Sequence, residues 1–170
     1  MALTKFENFL PENLYTECVN AAKFVLNNDG VQFKTNYFWE NAIIKDSFPV
    51  LIHPIYKENQ LYNNLKNIIE EKTKLLVKNH DIMIYFWTRF SYIPWHHDSI
   101  YAGALTVYLN ENWHEDFGGF FLYQENEEIK AILPKRNLGI LQTDGIKHST
   151  TAVNYDGHMR VTIQVFLDKE

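Results

Sequence analysis

The chain has 170 residues, a length typical of one domain with its own hydrophobic core. Apolar residues make up 46% of it and aromatic residues 15%, which excludes an intrinsically disordered chain. The formal net charge of −5 argues against nucleic acid or an anionic membrane surface as the main partner.

The composition also favours a reducing compartment. A single cysteine, Cys18, excludes an internal disulfide. The first residues, "MALTKFENFLPENL", lack the apolar run of a signal peptide, and no stretch reaches the length of a membrane span. We therefore expect a cytoplasmic protein with no membrane partner.

The first half of the chain predicts two amphipathic helices. One begins at Pro11 and ends at "NNDG", with these apolar residues at helical spacing: Leu14, Cys18, Ala21, Ala22 and Val25. The other covers residues 57–79, with this apolar side: Leu61, Leu65, Ile68, Ile69 and Leu75. The aromatic stretch between them, residues 31–56, favours no single element.

The second half predicts strands. Seven short segments are rich in β-branched and aromatic residues, and turn signals separate them. They are "DIMIYFWTRF", "GALTVYLN", "GGFFLYQ", "EIKAILP", "LGILQTD", "HSTTAVN" and "RVTIQVFLD". This spacing indicates a sandwich or barrel. We predict a single α+β domain over residues 1–170, with mainly supporting helices in 1–80 and an antiparallel double sheet in 81–168.

The motif "WHHDS" is a candidate metal site. Residues i and i+2 of a strand point to the same side, so His96 and Asp98 project together while His97 faces away. An imidazole and a carboxylate can bind one side of a divalent metal. A second histidine would complete the two-histidine, one-carboxylate set that suits non-haem Fe(II). Alone, the HxD triplet is weak evidence.

Other histidines compete for these roles. A second HxD triplet, His114 and Asp116, lies in "WHED". The candidates for the third ligand are His148 in "GIKHST" and His158 in "DGHMR".

Strand counting separates the candidates. Between His96 and His148 the chain fits an even number of strands, as expected for ligands on neighbouring strands of a barrel. Between His114 and His148 only three strands fit, and His114 itself lies in a polar turn. We therefore predict His96, Asp98 and His148 as the metal ligands, and His114 and His158 as surface residues.

A basic residue follows the third ligand. Arg160 lies across one predicted hairpin turn from His148 and opens an apolar strand. Alone it would be a surface charge, but beside a metal site its planar fork suits a bidentate carboxylate contact. Tyr108 could add a hydroxyl, although an ordinary core tyrosine carries similar weight. Thr162 and Thr150 are further candidates.

From about Asp81 to Asp168 the chain resembles the Fe(II)/2-oxoglutarate dioxygenases, specifically the prolyl 4-hydroxylase-like superfamily and most of all its compact bacterial and bacteriophage members. The matching elements, in order, are "WHHDS", "YLNENW", "FGGFFLY", "GIKHST" and "RVTIQVF". Their order is specific although no single element is. The first 80 residues match only as generic supporting helices.

The resemblance implies a double-stranded β-helix, or jelly roll, with Fe(II) held by His96, Asp98 and His148. It implies that Arg160, with Tyr108, binds the C5 carboxylate of 2-oxoglutarate. The implied reaction uses O2, decarboxylates 2-oxoglutarate to succinate and CO2, and hydroxylates an unactivated C–H bond. Ascorbate is expected to restore oxidised iron.

A prolyl residue in a peptide or protein is the predicted substrate. Tyr92, Trp95 and Tyr101 flank the ligand pair, and residues 36–48, "NYFWENAIIKDSF", could fold over the opening. Aromatic faces suit a proline ring, and an extended proline-rich segment needs little ordering to dock. The negative net charge favours neutral or basic peptides.

Other functions remain open. One is a non-catalytic, cupin-like metal-binding protein. Another is an oxygenase acting on a small molecule or a nucleobase. A nucleic-acid demethylase needs a basic groove and carries a second arginine soon after the first, whereas no arginine follows Arg160.

Overall fold

The computed structural model describes residues 3–28, 34–35, 50–157 and 159–168, with main chain only at 34–35 and 79–81. Its helices are α1 (Glu12–Asn27) and α2 (Gln60–Thr73), and a 3-10 turn covers Glu115–Phe117. Its strands are β1 (Leu3–Phe6), β2 (Lys34–Thr35), β3 (Val50–Pro54), β4 (Leu76–Trp87), β5 (Ile93–His96), β6 (Gly103–Tyr108), β7 (Phe121–Glu125), β8 (Glu128–Ile132), β9 (Gly139–Thr143), β10 (His148–Thr150) and β11 (Arg160–Asp168).

The strands form two antiparallel sheets. The major sheet has seven strands in the order β1-β9-β6-β11-β4-β3-β2, and the minor sheet has four in the order β5-β10-β7-β8. Side chains of both sheets line one cavity between them. The predicted α+β jelly roll is confirmed.

The major sheet is buried on both faces, and its strands alternate accordingly. In β11, Val161, Ile163 and Val165 pack with the cluster of α1 and α2, while Arg160 and Thr162 belong to the opposite face. The helices thus cover the outer face, and the inner face is free to carry polar groups. The polar side chains on the inner face of the sheet are the ones that form the candidate site.

The predicted first helix is confirmed. Pro11 is the residue before its first turn, and Leu14, Cys18, Ala22 and Val25 are buried as the spacing predicts. In the described residues, neither α-helix is long and apolar enough to cross a membrane.

The predicted end of the second helix is wrong. The helix ends at Thr73, because Lys74 adopts a left-handed conformation with φ of 60° and its N–H bonds to the carbonyl of Glu70. The chain then enters β4, where Leu76 and Val77 pair with the end of β11. Sheet pairing across the whole chain therefore overrides the local helical pattern.

The strand prediction missed several elements. The first 80 residues contribute β1, β2 and β3 to the major sheet, beyond the helical support expected there. Ile93 and Pro94, read from sequence as a turn, belong to β5. β5 forms because Ile93 packs with the inner apolar cluster and its neighbour β10 provides the pairing partner.

Candidate metal centre and its cavity

Three potential ligands converge at the edge of the minor sheet. His96 ends β5 and His148 begins β10, and the two residues are register partners. Asp98 follows β5: its Oδ1 lies 3.7 Å from His96 Nε2 and its Oδ2 lies 3.4 Å from His148 Nε2. One ligand atom from each residue can be chosen such that all lie within 4.8 Å of one another. Among the described residues, the predicted triad is thus assembled in one place.

In both histidine rings, the hydrogen bond made by Nδ1 directs Nε2 towards Asp98. His96 Nδ1 lies 2.8 Å from the carbonyl of Pro94, and His148 Nδ1 lies 2.9 Å from that of Ile146. A carbonyl only accepts, so both Nδ1 atoms carry a proton, and in the neutral ring the lone pair is therefore on Nε2. This tautomer is the one that ligates a metal through Nε2.

Packing orients His148, and burial favours the neutral form of His96. The ring of His148 stacks on Phe121 at 5.4 Å and is almost fully buried. Burial is the main reason that the pKa of His96 lies below its usual value, and the neighbouring His148 lowers it further. A neutral imidazole at neutral pH is the ligating form.

His114, the histidine of the second HxD triplet, lies away from this site. His114 is exposed, and its Nδ1 accepts from the N–H of Asp116 at the start of the 3-10 turn. It therefore caps that turn, as expected for a surface residue. His158 lies outside the described residues.

A cavity of about 540 Å³ opens beside the three ligands. The inner face of the major sheet forms one wall, in rows set by the strand register. Tyr108 and Tyr85, the register partners of Thr162, line it in one row, followed by Gln164 beside Thr106 in the next. Arg160 lies at one end of these rows, and Phe166 lies at the other.

Arg160 is buried at the closed end of the cavity. Its side chain is 1% exposed, and its guanidinium lies 4.0 Å from the centre of the Trp87 ring. Nη1 donates to the carbonyl of Gly119, whereas Nε is buried without a hydrogen-bond partner. In the described part of the chain, no carboxylate forms an ion pair with it. Burial lowers the pKa of Arg160 to about 10, so it stays charged at neutral pH.

The paired glycines explain how the guanidinium fits. Gly119 has a φ of +68°, and a Cβ there would lie 3.2 Å from both Cδ and Nη1 of Arg160. Gly118 has a φ of +67°, and a Cβ there would lie 2.2 Å from the carbonyl oxygen of Ala152. Only glycine accommodates both the backbone conformation and the close approach.

The other predicted cofactor residues divide in two. Tyr108 and Thr150 line the cavity. Burial raises the pKa of Tyr108 to about 12, so its hydroxyl remains a donor, although the charge of Arg160 acts in the opposite direction. Thr150 accepts from the N–H of Ile93 and thereby joins β10 to β5. Thr162 does not line the cavity, because its hydroxyl accepts from Trp87 Nε1.

The predicted substrate residues also divide. Tyr101 lines the cavity and stacks on Phe166, with ring centres 4.4 Å apart. Trp95 and Tyr92 are not among the residues that line it, so their contact with a substrate stays a prediction. Strand alternation turns Trp95 away from His96, and its ring lies near Lys147 instead. The predicted lid, residues 36–48, lies outside the described residues.

Sequence reasoning missed the polar residues of the major sheet wall. Gln142 donates to Asp98, and Thr106 donates to Gln164, all within the cavity lining. The signal was present as polar residues at alternate positions of apolar strands, as in "RVTIQVF". It could be read only with the knowledge that helices cover the other face.

Solved structures share this fold. A prolyl hydroxylase from Trichoplax adhaerens, in complex with a peptide fragment of the hypoxia inducible factor oxygen degradation domain, superposes with a TM-score of 0.78 at 18% identity, over 99% of this chain and 84% of that one. A Pseudomonas putida prolyl-4-hydroxylase superposes with a TM-score of 0.75 at 12% identity, over 99% and 93% of the two chains.

The fold is that of the prolyl 4-hydroxylase-like 2-oxoglutarate oxygenases. The non-heme alpha ketoglutarate dependent epimerase SnoN from nogalamycin biosynthesis shares it too, with a TM-score of 0.71 at 10% identity over 98% of this chain and 78% of that one. No family model and no curated protein sequence matches this chain. The fold alone therefore does not assign a reaction or a substrate.

Proposed function

We propose that the protein is an Fe(II)- and 2-oxoglutarate-dependent dioxygenase that hydroxylates a prolyl residue in a peptide or protein. One observation carries this proposal. The three potential metal ligands line the same cavity as a buried Arg160, which pairs with no carboxylate of the described residues. A metal-chelating dicarboxylate is the ligand class that can bind a metal ion at the three ligands and Arg160 at the same time.

The donor set fits Fe(II). Two imidazoles direct Nε2 towards one carboxylate, which is the two-histidine, one-carboxylate set of non-haem iron oxygenases. When bound, Fe(II) with 2-oxoglutarate and O2 would supply the oxidising power for C–H hydroxylation. The chain's own part is to hold His96, Asp98 and His148 in place and to enclose the site.

Arg160 would bind the C5 carboxylate of 2-oxoglutarate. A buried cation without a counter-ion destabilises the fold, and a bound carboxylate would compensate for that. Nε has no partner and Nη1 uses one hydrogen on Gly119, so donors remain for a ligand. The hydroxyl of Tyr108 would donate to the same carboxylate. A non-catalytic, cupin-like protein would have no use for the buried charge of Arg160. The charge therefore disfavours that role.

A prolyl substrate is supported by the mouth of the cavity. Ile100 is 76% exposed at its rim, beside the stacked rings of Tyr101 and Phe166. The turn holding Ile100 is short, since the N–H of Tyr101 bonds back to the carbonyl of Asp98. A short rim leaves room for a chain segment, and aromatic faces suit a proline ring. The Trichoplax neighbour holds a peptide in its structure.

A small molecule is the second candidate substrate. The structural likeness to SnoN from nogalamycin biosynthesis supports it, and a cavity of about 540 Å³ can enclose a small ligand.

Ascorbate dependence and a cytoplasmic location remain part of the proposal for either substrate.

Succinate release tests the reaction, and mass spectrometry tests the substrate. Purified protein with Fe(II), 2-oxoglutarate and ascorbate is incubated with a panel of proline-rich peptides, and each is examined for one added oxygen on proline. His96→Ala is the inactive control. Oxidised proline supports the full proposal. Oxidation of a small molecule or nucleobase instead removes the prolyl assignment, and no 2-oxoglutarate turnover with any substrate removes the dioxygenase assignment.

A further inference from the structure

Gln142 touches two of the three potential metal ligands. It lies on β9, in register with Ala104 of β6, and its side chain is 5% exposed. Its Nε2 lies 2.8 Å from Asp98 Oδ2 and 3.2 Å from His148 Nε2. No other described side chain contacts both ligands through one polar atom.

The chemistry of the partners fixes the direction of both bonds. A carboxylate only accepts, so the amide nitrogen rather than the amide oxygen must face Asp98. His148 Nε2 also accepts, because Nδ1 carries the ring proton towards Ile146. Both hydrogens of the Gln142 amide therefore point at ligand lone pairs. Its Oε1 is left buried without a hydrogen-bond partner.

This arrangement differs from ordinary packing. An amide buried only to fill space would satisfy its own oxygen, because an unpaired buried acceptor destabilises the fold. Here the ligand contacts are kept while the oxygen stays unsatisfied. Within the described chain, Asp98 Oδ1 has no hydrogen bond and faces His96, whereas Oδ2 is held by Gln142.

We propose that Gln142 is a positioning residue that assembles the metal site before the ion arrives and makes Asp98 a one-oxygen ligand. The amide stabilises the ligands against mutual repulsion of their lone pairs in the absence of metal. When an ion takes the lone pair of His148, the bond to Oδ2 remains, and Oδ1 is left to ligate. The inference rests on the metal site of the proposed function.

Metal titration tests this role without turnover. Metal-free wild type, Gln142→Met and Gln164→Met are titrated with Mn(II), and free Mn(II) is followed by electron paramagnetic resonance. Methionine fills a similar volume without the N–H groups. Gln164→Met is the matched control, because Gln164 lines the same cavity and accepts a hydrogen bond from Thr106 rather than contacting a metal ligand.

We expect Gln142→Met to bind Mn(II) roughly 10–100-fold more weakly, as is typical for an outer-sphere partner, and Gln164→Met to match wild type. Circular dichroism should show that metal-free Gln142→Met is folded, so that weaker binding is not a consequence of unfolding. The visible spectrum of bound Co(II) should change in Gln142→Met alone, since Asp98 can then ligate through both oxygens.

Unchanged Mn(II) affinity in Gln142→Met would overturn the inference and leave the proposed function intact. An equal loss in both methionine variants would also overturn it, because the effect would then be one of cavity packing. Wild type that binds no Mn(II) or Fe(II) at all would overturn the proposed function together with this inference.

Discussion

His96 and His148 face each other as register partners on neighbouring antiparallel strands, with ring centres 4.1 Å apart. Each ring is oriented by a carbonyl two residues away along its own strand region. The metal centre therefore depends on the pairing of two short strands, β5 and β10, and on very local hydrogen bonds.

Removal of any one ligand should abolish metal binding at this centre. We expect His96→Ala, Asp98→Ala and His148→Ala each to weaken Fe(II) binding by at least about 100-fold, more than the loss of an outer-sphere partner. The reason is that two remaining ligands hold a divalent ion poorly. Metal content after dialysis, measured by atomic emission, checks this.

His114→Ala is the matched control for that series, because His114 belongs to the second HxD triplet and only caps an exposed turn. It should retain wild-type metal content and wild-type turnover of 2-oxoglutarate. Loss of metal from this variant, with retention in His96→Ala, would contradict the assignment.

The guanidinium of Arg160 should set the affinity for 2-oxoglutarate. Arg160→Ala should raise its apparent Michaelis constant by about 10- to 100-fold, the range expected for losing a charge-assisted hydrogen bond, with metal content unchanged. Arg160→Lys should recover part of the affinity without the bidentate geometry. Arg89→Ala, which removes an exposed arginine paired with Asp156, should behave like wild type. An unchanged Michaelis constant in Arg160→Ala would place the carboxylate elsewhere.

The affinity for 2-oxoglutarate should depend on pH through the same residue. Burial lowers the pKa of Arg160 to about 10, so the group is charged below that pH and loses its charge above it. Affinity measured by calorimetry should be flat from about pH 7 to 9 and then fall about tenfold per pH unit above 10. In Arg160→Lys the fall should begin at lower pH, because a buried ammonium loses its proton more readily. A decline already between pH 7 and 8 in wild type would contradict this origin.

The stability of the ligand-free protein should reveal the uncompensated charge. Because burial lowers the pKa of Arg160, the folded state disfavours its charged form relative to the unfolded state over the whole range below about pH 10. Arg160→Met should therefore raise the melting temperature of the ligand-free protein at pH 7. It should also abolish the stabilisation that 2-oxoglutarate gives to wild type. A lower melting temperature would show that the bonds to Gly119 and Trp87 outweigh the burial of the charge.

Gly119→Ala should impair the binding of the 2-oxoglutarate carboxylate at Arg160 but not the binding of metal. A Cβ at this position, where φ is +68°, would meet the side chain of Arg160 at 3.2 Å. We expect destabilisation of about 1–3 kcal/mol from the left-handed backbone, together with weaker binding of 2-oxoglutarate. Metal content should persist, since no ligand contacts Gly119 in the described chain. Thermal melting and calorimetry check the two effects, and wild-type affinity for 2-oxoglutarate would contradict the role of this close approach.

The sequence alone predicted the three candidate metal ligands and part of the general architecture. His96, Asp98 and His148 could be identified because a two-residue strand spacing and strand counting do not require the coordinates. The two helices and most strands of the second half followed from periodicity, which is a local property, whereas β1, β2, β3 and β5 did not. Arg160 stood out because so few arginines occur in the chain.

Only the tertiary structure decided which side chains share the cavity. Gln142 reaches Asp98 across a gap of many residues, and Trp87, the register partner of Arg160 on the neighbouring strand β4, covers its guanidinium. The boundary between α2 and β4 was likewise decided by pairing with β11, over the local helical preference. Trp95 faces away from the cavity because it is next to His96 in β5, and successive side chains of a strand point to opposite sides. These outcomes depend on contacts between residues distant in sequence, and such contacts follow from how sheets pair and pack rather than from any local pattern.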